Sequence, residues 1–141
     1  GSGDNTVDIG TVGLSSSVNV VTGSGADTIT VGDAGVYTNM YVDVQSGDDV
    51  VTLGNVGADG SAKVYALGSG DNTVDIGTVG LSSSVNVVTG SGADTITVGD
   101  AGVYTNMYVD VQSGDDVVTL GNVGADGSAK VYALGSGDNT V

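Results

Sequence analysis

GSGADTITVGDAGVYTNMYVDV, residues 23–44, contains every feature that decides the fold. It opens on a Gly/Asp loop, alternates apolar and polar residues through Thr28–Val31, breaks at Gly32 and Gly35, and alternates again as far as Val44. Twofold alternation places successive side chains on opposite faces and marks a half-buried strand. The flanking segments follow the same plan: GSGDNTVDIGTVGLSSSVNVVT at 1–22 and QSGDDVVTLGNVGADGSAKVYAL at 45–67. The period is about 22 residues, the length of one β-solenoid coil. Three coils make a 67-residue unit: residues 1–67 recur without substitution as 68–134, and a third copy begins at 135–141. A repeat puts every side chain in the same environment twice, which a stack of coils requires and a unique catalytic cleft does not tolerate.

Aligning the three coils gives columns of uniform chemistry. Val7, Ile29 and Val51 form one apolar column, Ile9, Val31 and Leu53 a second, with Asp8, Thr30 and Thr52 between them on the outer face. Glycines recur at Gly10, Gly32 and Gly54 and at Gly13, Gly35 and Gly57, which marks a corner needing unusual φ/ψ or close backbone approach. Beyond it the apolar positions are even-numbered: Leu14, Val18 and Val20; Val36, Met40, Val42 and Val44; Ala58, Ala62, Val64 and Ala66. The third coil carries one extra residue, placed near Leu67 as a bulge or wider corner. The expected fold is all-β, a parallel solenoid with coils about 4.8 Å apart, built either as a β-roll with two strands per coil or as a right-handed β-helix with three.

Composition narrows the function. The chain has 26 glycines and no proline, cysteine, tryptophan or phenylalanine, so a thin aliphatic core replaces a globular one. Seventeen aspartates face two lysines, Lys63 and Lys130, for a net charge of −15. Nucleic acid and anionic membrane are thereby excluded as partners, because both require cations to neutralise phosphate, and no apolar run is long enough for membrane insertion. Catalysis has little to stand on without His, Cys, Arg or Glu, and the chain reads as a non-enzyme.

Each coil opens with a Gly/Asp loop: GSGDNTV, GSGADTI and QSGDDVV. These loops resemble the haemolysin-type calcium-binding nonapeptide of repeats-in-toxin (RTX) proteins, G-G-x-G-x-D-x-U-x with U a large aliphatic residue. On 22–30 the match runs through Gly23, Gly25, Asp27 and Ile29, with Thr22 in place of the first glycine. The Gln45 loop keeps Gly47, Asp49 and Val51, and the Gly1 loop has Asn5 at the aspartate position. The resemblance implies a β-roll edge holding Ca²⁺ through aspartate carboxylates and loop carbonyls. It covers one loop per coil, where the family usually has two, so at most one edge would carry ions.

Stacking alone also makes a case for cations. It places Asn5, Asp27, Asp49, Asn72, Asp94 and Asp116 in one column, with Asp4, Asp48, Asp71 and Asp115 beside it. Carboxylates about 5 Å apart repel by roughly 1 kcal/mol in water and more at a partly buried edge. A hard divalent cation reverses that sign, and Ca²⁺ takes oxygen ligands of this kind. The alternative is plain turn chemistry, since Gly, Asp, Asn and Ser are also ordinary turn formers.

On the outer face of the second half-coil lie Asn19, Tyr41 and Lys63, then Val21, Asp43 and Tyr65. Stacking within one rod accounts for this pattern, and lateral contact between rods is the alternative. The threonine columns are interrupted by Asp8 and Val50, which argues against an ice-matching array. The chain is therefore expected to be part of a secreted extracellular filament, matrix fibre, surface layer or adhesin stalk that polymerises head to tail with itself. Ca²⁺ stabilisation is expected along the Asp edge. The competing expectations are a calcium-responsive secretion module of a larger exported toxin, enzyme or adhesin, and an engineered array, to which perfect repeat identity also points.

Overall fold

The computed structural model describes all residues, 1–141, and contains twelve β-strands and no helix. Strands alternate between two parallel sheets. The first holds β1 (Thr6–Ile9), β3 (Thr28–Val31), β5 (Val50–Leu53), β7 (Thr73–Ile76), β9 (Thr95–Val98) and β11 (Val117–Leu120), stacked in chain order. The second holds β2 (Ser17–Val21), β4 (Asn39–Asp43), β6 (Ser61–Ser69), β8 (Ser84–Ser91), β10 (Asn106–Val111) and β12 (Ser128–Ala133). Each coil thus contributes one strand to each sheet, and six coils of about 22 residues form a solenoid with two broad faces.

Register is set by the columns. Val7 pairs with Ile29 and Ile29 with Val51, while Val18 pairs with Met40 and Met40 with Ala62. A slip of one residue would turn every one of these side chains to solvent. Between the sheets runs a continuous aliphatic core in which Ile29, Val42, Val44, Ala62, Val64, Val87 and Ile96 have no exposed surface. Its width suits Val, Ile, Leu, Met and Ala, which explains why a chain without Phe or Trp can still bury a core.

In the first sheet the joint between the two repeat copies matches the joints inside them. β5 pairs with β7 through Val50–Thr73, Val51–Val74, Thr52–Asp75 and Leu53–Ile76, as β3 pairs with β5. In the second sheet β6 pairs with β8 in register from Ser61 to Ala66, then shifts between Ala66 and Ser69. The extra residue of the third coil is absorbed there, at the expected position beside Leu67.

The corner differs from the sequence expectation in two ways. Leu14 is 69% exposed, and Val36 and Ala58 are only half-buried. The inward corner column is instead Val12, Ala34, Val56, Val79 and Ala101, joined coil to coil by single parallel bridges. A left-handed turn residue directly follows Leu14, Val36 and Ala58: Ser15, Tyr37 and Asp59 have φ of 52°, 58° and 53°, which rotates the chain and breaks the even-number count. Among the corner glycines, close approach rather than positive φ decides the residue: a Cβ on Gly54 would lie 2.6 Å from the Asp33 nitrogen in the coil below. Positive φ belongs to the loop glycines, as at Gly25 with φ 127°, where a side chain would also strike the Gly3 backbone.

Candidate functional site

The Gly/Asp loops stack along one edge and place the sequence-predicted residues in two columns. In the inner one the Asn5 backbone N–H donates to Asp27 Oδ1 at 2.8 Å, and the Asp27 N–H donates to Asp49 Oδ1 at 2.8 Å. The Asp49 N–H donates to Asn72 Oδ1 at 3.2 Å, Asn72 to Asp94 at 2.9 Å, and Asp94 to Asp116 at 3.0 Å. The row ends with the Asp116 N–H on Asn139 Oδ1 at 2.9 Å. From Asp27 onward every side chain of the column therefore caps the backbone of the coil before it, forming a ladder of one bond per coil. Hydrogen bonds to ionised acceptors contribute about 1.5–3 kcal/mol each, so the ladder offsets much of the carboxylate repulsion without any ion.

The outer column runs the opposite way. Asp4 Oδ1 accepts from the Ala26 N–H at 2.9 Å, Asp48 from Asp71 at 3.0 Å, Asp71 from Ala93 at 2.8 Å, and Asp115 from Asp138 at 2.8 Å. Each of these carboxylates caps the coil after it and is exposed. Neighbouring loop residues thus stitch each coil both backward and forward.

Asn5, Asn72 and Asn139 divide the inner column electrostatically. Asn5 and Asn72 also donate their side-chain amides to Asp27 Oδ1 at 2.7 Å and Asp94 Oδ1 at 2.9 Å. What remains is an adjacent pair, Asp27 with Asp49, repeated as Asp94 with Asp116. All four are buried, and all four Oδ2 atoms lie inaccessible without a hydrogen-bond partner. Burial acts most strongly on Asp27 and would raise its pKa, but the hydrogen bonds from the Asn5 side-chain amide and backbone N–H help hold the carboxyl below its ordinary value. Asp49 goes the other way: burial, with Asp27 and Asp48 adding repulsion, lifts it despite the Asp27 N–H. Asp116 is raised in the same manner beside Asp94 and Asp115.

A calcium shell needs about six to eight oxygens. The inner column offers one free oxygen per aspartate, and no group of three or more His, Cys, Asp or Glu side chains gathers closely enough to hold an ion. The side-chain donor set is therefore short of the cage the resemblance implies. An ion at the Asp27–Asp49 step would have to draw the rest of its shell from elsewhere.

A second ladder was missed from sequence. At the corner after the first strand, Asp33 Oδ1 accepts from the Asn55 N–H at 2.8 Å and from its side-chain amide at 2.9 Å, while Asn55 Oδ1 accepts from the Thr78 N–H at 2.9 Å. Asp100 and Asn122 repeat the first step at 2.7 Å. The available signal was the Thr11, Asp33, Asn55 column directly after Gly10, Gly32 and Gly54. Inside the same corner buried Thr38 and Thr105 donate to the carbonyls of Gly13 and Gly80, each at 2.9 Å.

The broad faces differ in chemistry. The first sheet presents threonine and valine with Asp8 and Asp75, and the second presents tyrosine pairs, with Tyr41–Tyr65 and Tyr108–Tyr132 ring centroids 5.6 and 5.3 Å apart. Both lysines are on that second face. Comparison with known proteins finds no match to a family model, to a curated protein or to a solved structure. The solenoid fold and its tandem repeat therefore stand on the chain's own geometry.

Proposed function

We propose that this chain is a segment of an extracellular structural rod, a filament, matrix fibre or surface stalk that lengthens by adding coils. The observation that carries the reading is the joint between repeat copies: β5–β7 pairs as the joints within a copy do, and β6–β8 keeps the same register from Ser61 to Ala66 before the bulge that takes up the extra residue. Any further 67-residue step reproduces the same interface, whether the next copy is covalently joined or stacks head to tail as a separate chain. Backbone hydrogen bonds along the axis, aliphatic ladders inside and Asx ladders at two corners supply the cohesion. The acidic surface keeps rods soluble and apart from nucleic acid and anionic lipid. Nothing in this reading requires catalysis. Immunogold labelling of the source cells tests it: label on filaments or matrix outside the cell is expected, and label confined to the cytoplasm would overturn it.

One observation favours a second reading, in which the segment responds to calcium within a larger exported protein. The unpaired Oδ2 atoms of Asp27, Asp49, Asp94 and Asp116 leave buried anionic charge that a cation would relieve. Thermal unfolding with calcium and with a chelator separates the two. A rise of many degrees with calcium, reversed by chelation, supports the responsive module; an unchanged midpoint leaves the ladders as the whole stabilising device.

A further inference from the structure

The outer face of the second sheet is the one surface where charge balances. Lys63 and Lys130 are the only cations in the chain, and on this face they stand against Asp43 and Asp110, two against two. The other fifteen aspartates, which make up the entire net charge of −15, lie elsewhere. On the opposite broad face Asp8 and Asp75 have no cation near them in the strand pattern. Contact between two rods through that opposite face or through the Gly/Asp-loop edge therefore brings carboxylate against carboxylate.

The same face has shape. Column by column it carries Asn19, Tyr41, Lys63 and then Val21, Asp43, Tyr65, repeated in the second copy. A groove of about 370 Å³ runs along it, with Lys63 and Lys130 at its two ends and Asn86 and Tyr108 between. Beside it stand Tyr65 and Val88, both half-buried, and Tyr132 in the last coil. A strand surface with amphipathic aromatic rings and a groove offers the aromatic anchors in which interfaces are enriched, and charges of both signs beside them can fix register.

We propose that this face is a lateral docking surface whose occupant is a second copy of the chain, packed face to face. Tyrosine from one rod enters the groove of the other, and Lys63 and Lys130 meet the partner's Asp43 and Asp110. The inference deepens the structural-rod reading and rests on it. Lysine and aspartate each return every three coils, about 14 Å, so a register found once is found along the whole rod. Area sets the strength. Six coils and a five-residue strand give a face of about 29 by 17 Å, or about 500 Å², short of the roughly 800 Å² per partner of a stable complex. The two-copy chain therefore pairs weakly, and pairing tightens steeply with rod length.

Sedimentation equilibrium and small-angle scattering of the 141-residue chain test this, with circular dichroism as the check on folding. Concentrated wild-type protein is expected to self-associate, with a cross-section that widens at constant length. Lys63→Glu with Lys130→Glu, both exposed and so harmless to the fold, is expected to weaken association about tenfold or more, since like charges then face one another. Mixing that variant with Asp43→Lys/Asp110→Lys is expected to restore it. A chain that stays monomeric to its solubility limit, or association that the lysine substitutions do not change, overturns the proposal. Lengthening at constant cross-section also overturns it, while leaving head-to-tail growth standing.

Discussion

Because the repeat is perfect, the chain contains its own controls, and Ile9 and Ile76 are the most informative pair. Both sit in the sequence TVDIG, at the same place in their coils. Ile76 is 1% exposed, with Leu53 on one side and Val98 on the other in the first sheet. Ile9 has a neighbour on one side only, Val31, and is half-buried. Replacing Ile76 with alanine removes a fully enclosed side chain and leaves a cavity between two coils, at a cost of about 2–5 kcal/mol. Ile9→Ala removes the same atoms from a site that already lacks half its partners and can collapse, so about half that cost or less is expected. Urea titration followed by circular dichroism and tyrosine fluorescence measures both, and the slope with denaturant reports whether an end coil frays separately. Equal losses would refute the reasoning, since they would mean that coil-to-coil packing does not carry the stability. A larger loss at Ile9 would contradict it further.

Asp94 tests the inner ladder. Asp94→Ala leaves the buried Asn72 N–H without an acceptor and should cost about 1–3 kcal/mol, whereas Asp94→Asn keeps an oxygen there and removes a buried charge, so it should be near neutral. Chemical denaturation of the two variants decides; equal losses would show that charge, not the acceptor, is what matters. Acid titration tests the pairs. Asp49 and Asp116 have raised pKa values, so the folded chain holds more protons than the unfolded one between the unfolded value near 3.8 and the folded value. Their contribution to stability is therefore full below that window and is lost as pH rises through the folded pKa. Asp27 opposes this, because its lowered pKa makes its contribution present above 3.8 and lost as pH falls through the folded value. Melting temperature should rise from neutral toward mildly acid pH and then turn over. In Asp49→Asn/Asp116→Asn the rise should shrink and the neutral-pH midpoint should increase; a rise of unchanged size would contradict the assignment.

The strands were legible because alternation is a local signal repeated six times: Ile29 and Val31 or Met40, Val42 and Val44 fall inward in the coil as the column count requires. The bulge at Leu67 was legible for a related reason, since one coil is a residue longer than its neighbours. The corner was not. Counting by twos from Leu14 to Val18 assumes an extended chain, whereas Ser15, Tyr37 and Asp59 adopt left-handed φ and pass the inward place to Val12, Ala34 and Val56. No glycine announces that turn, because the residues that make it are Ser, Tyr and Asp. The edge columns were legible as columns, yet what their carboxylates do was not. Spacing alone shows Asp27 above Asp49, but only backbone orientation shows that one offers its N–H to the other. For the same reason the Asp33–Asn55 ladder at the opposite corner went unread.

Solution scattering from arrays of two, four and six copies of the 67-residue unit addresses the central claim most directly. If coils propagate without interruption across copy boundaries, each added copy lengthens the rod by about 14 Å at constant cross-section. Copies that fold as separate beads, with length growing irregularly or the cross-section thickening as copies are added, would contradict a continuous solenoid.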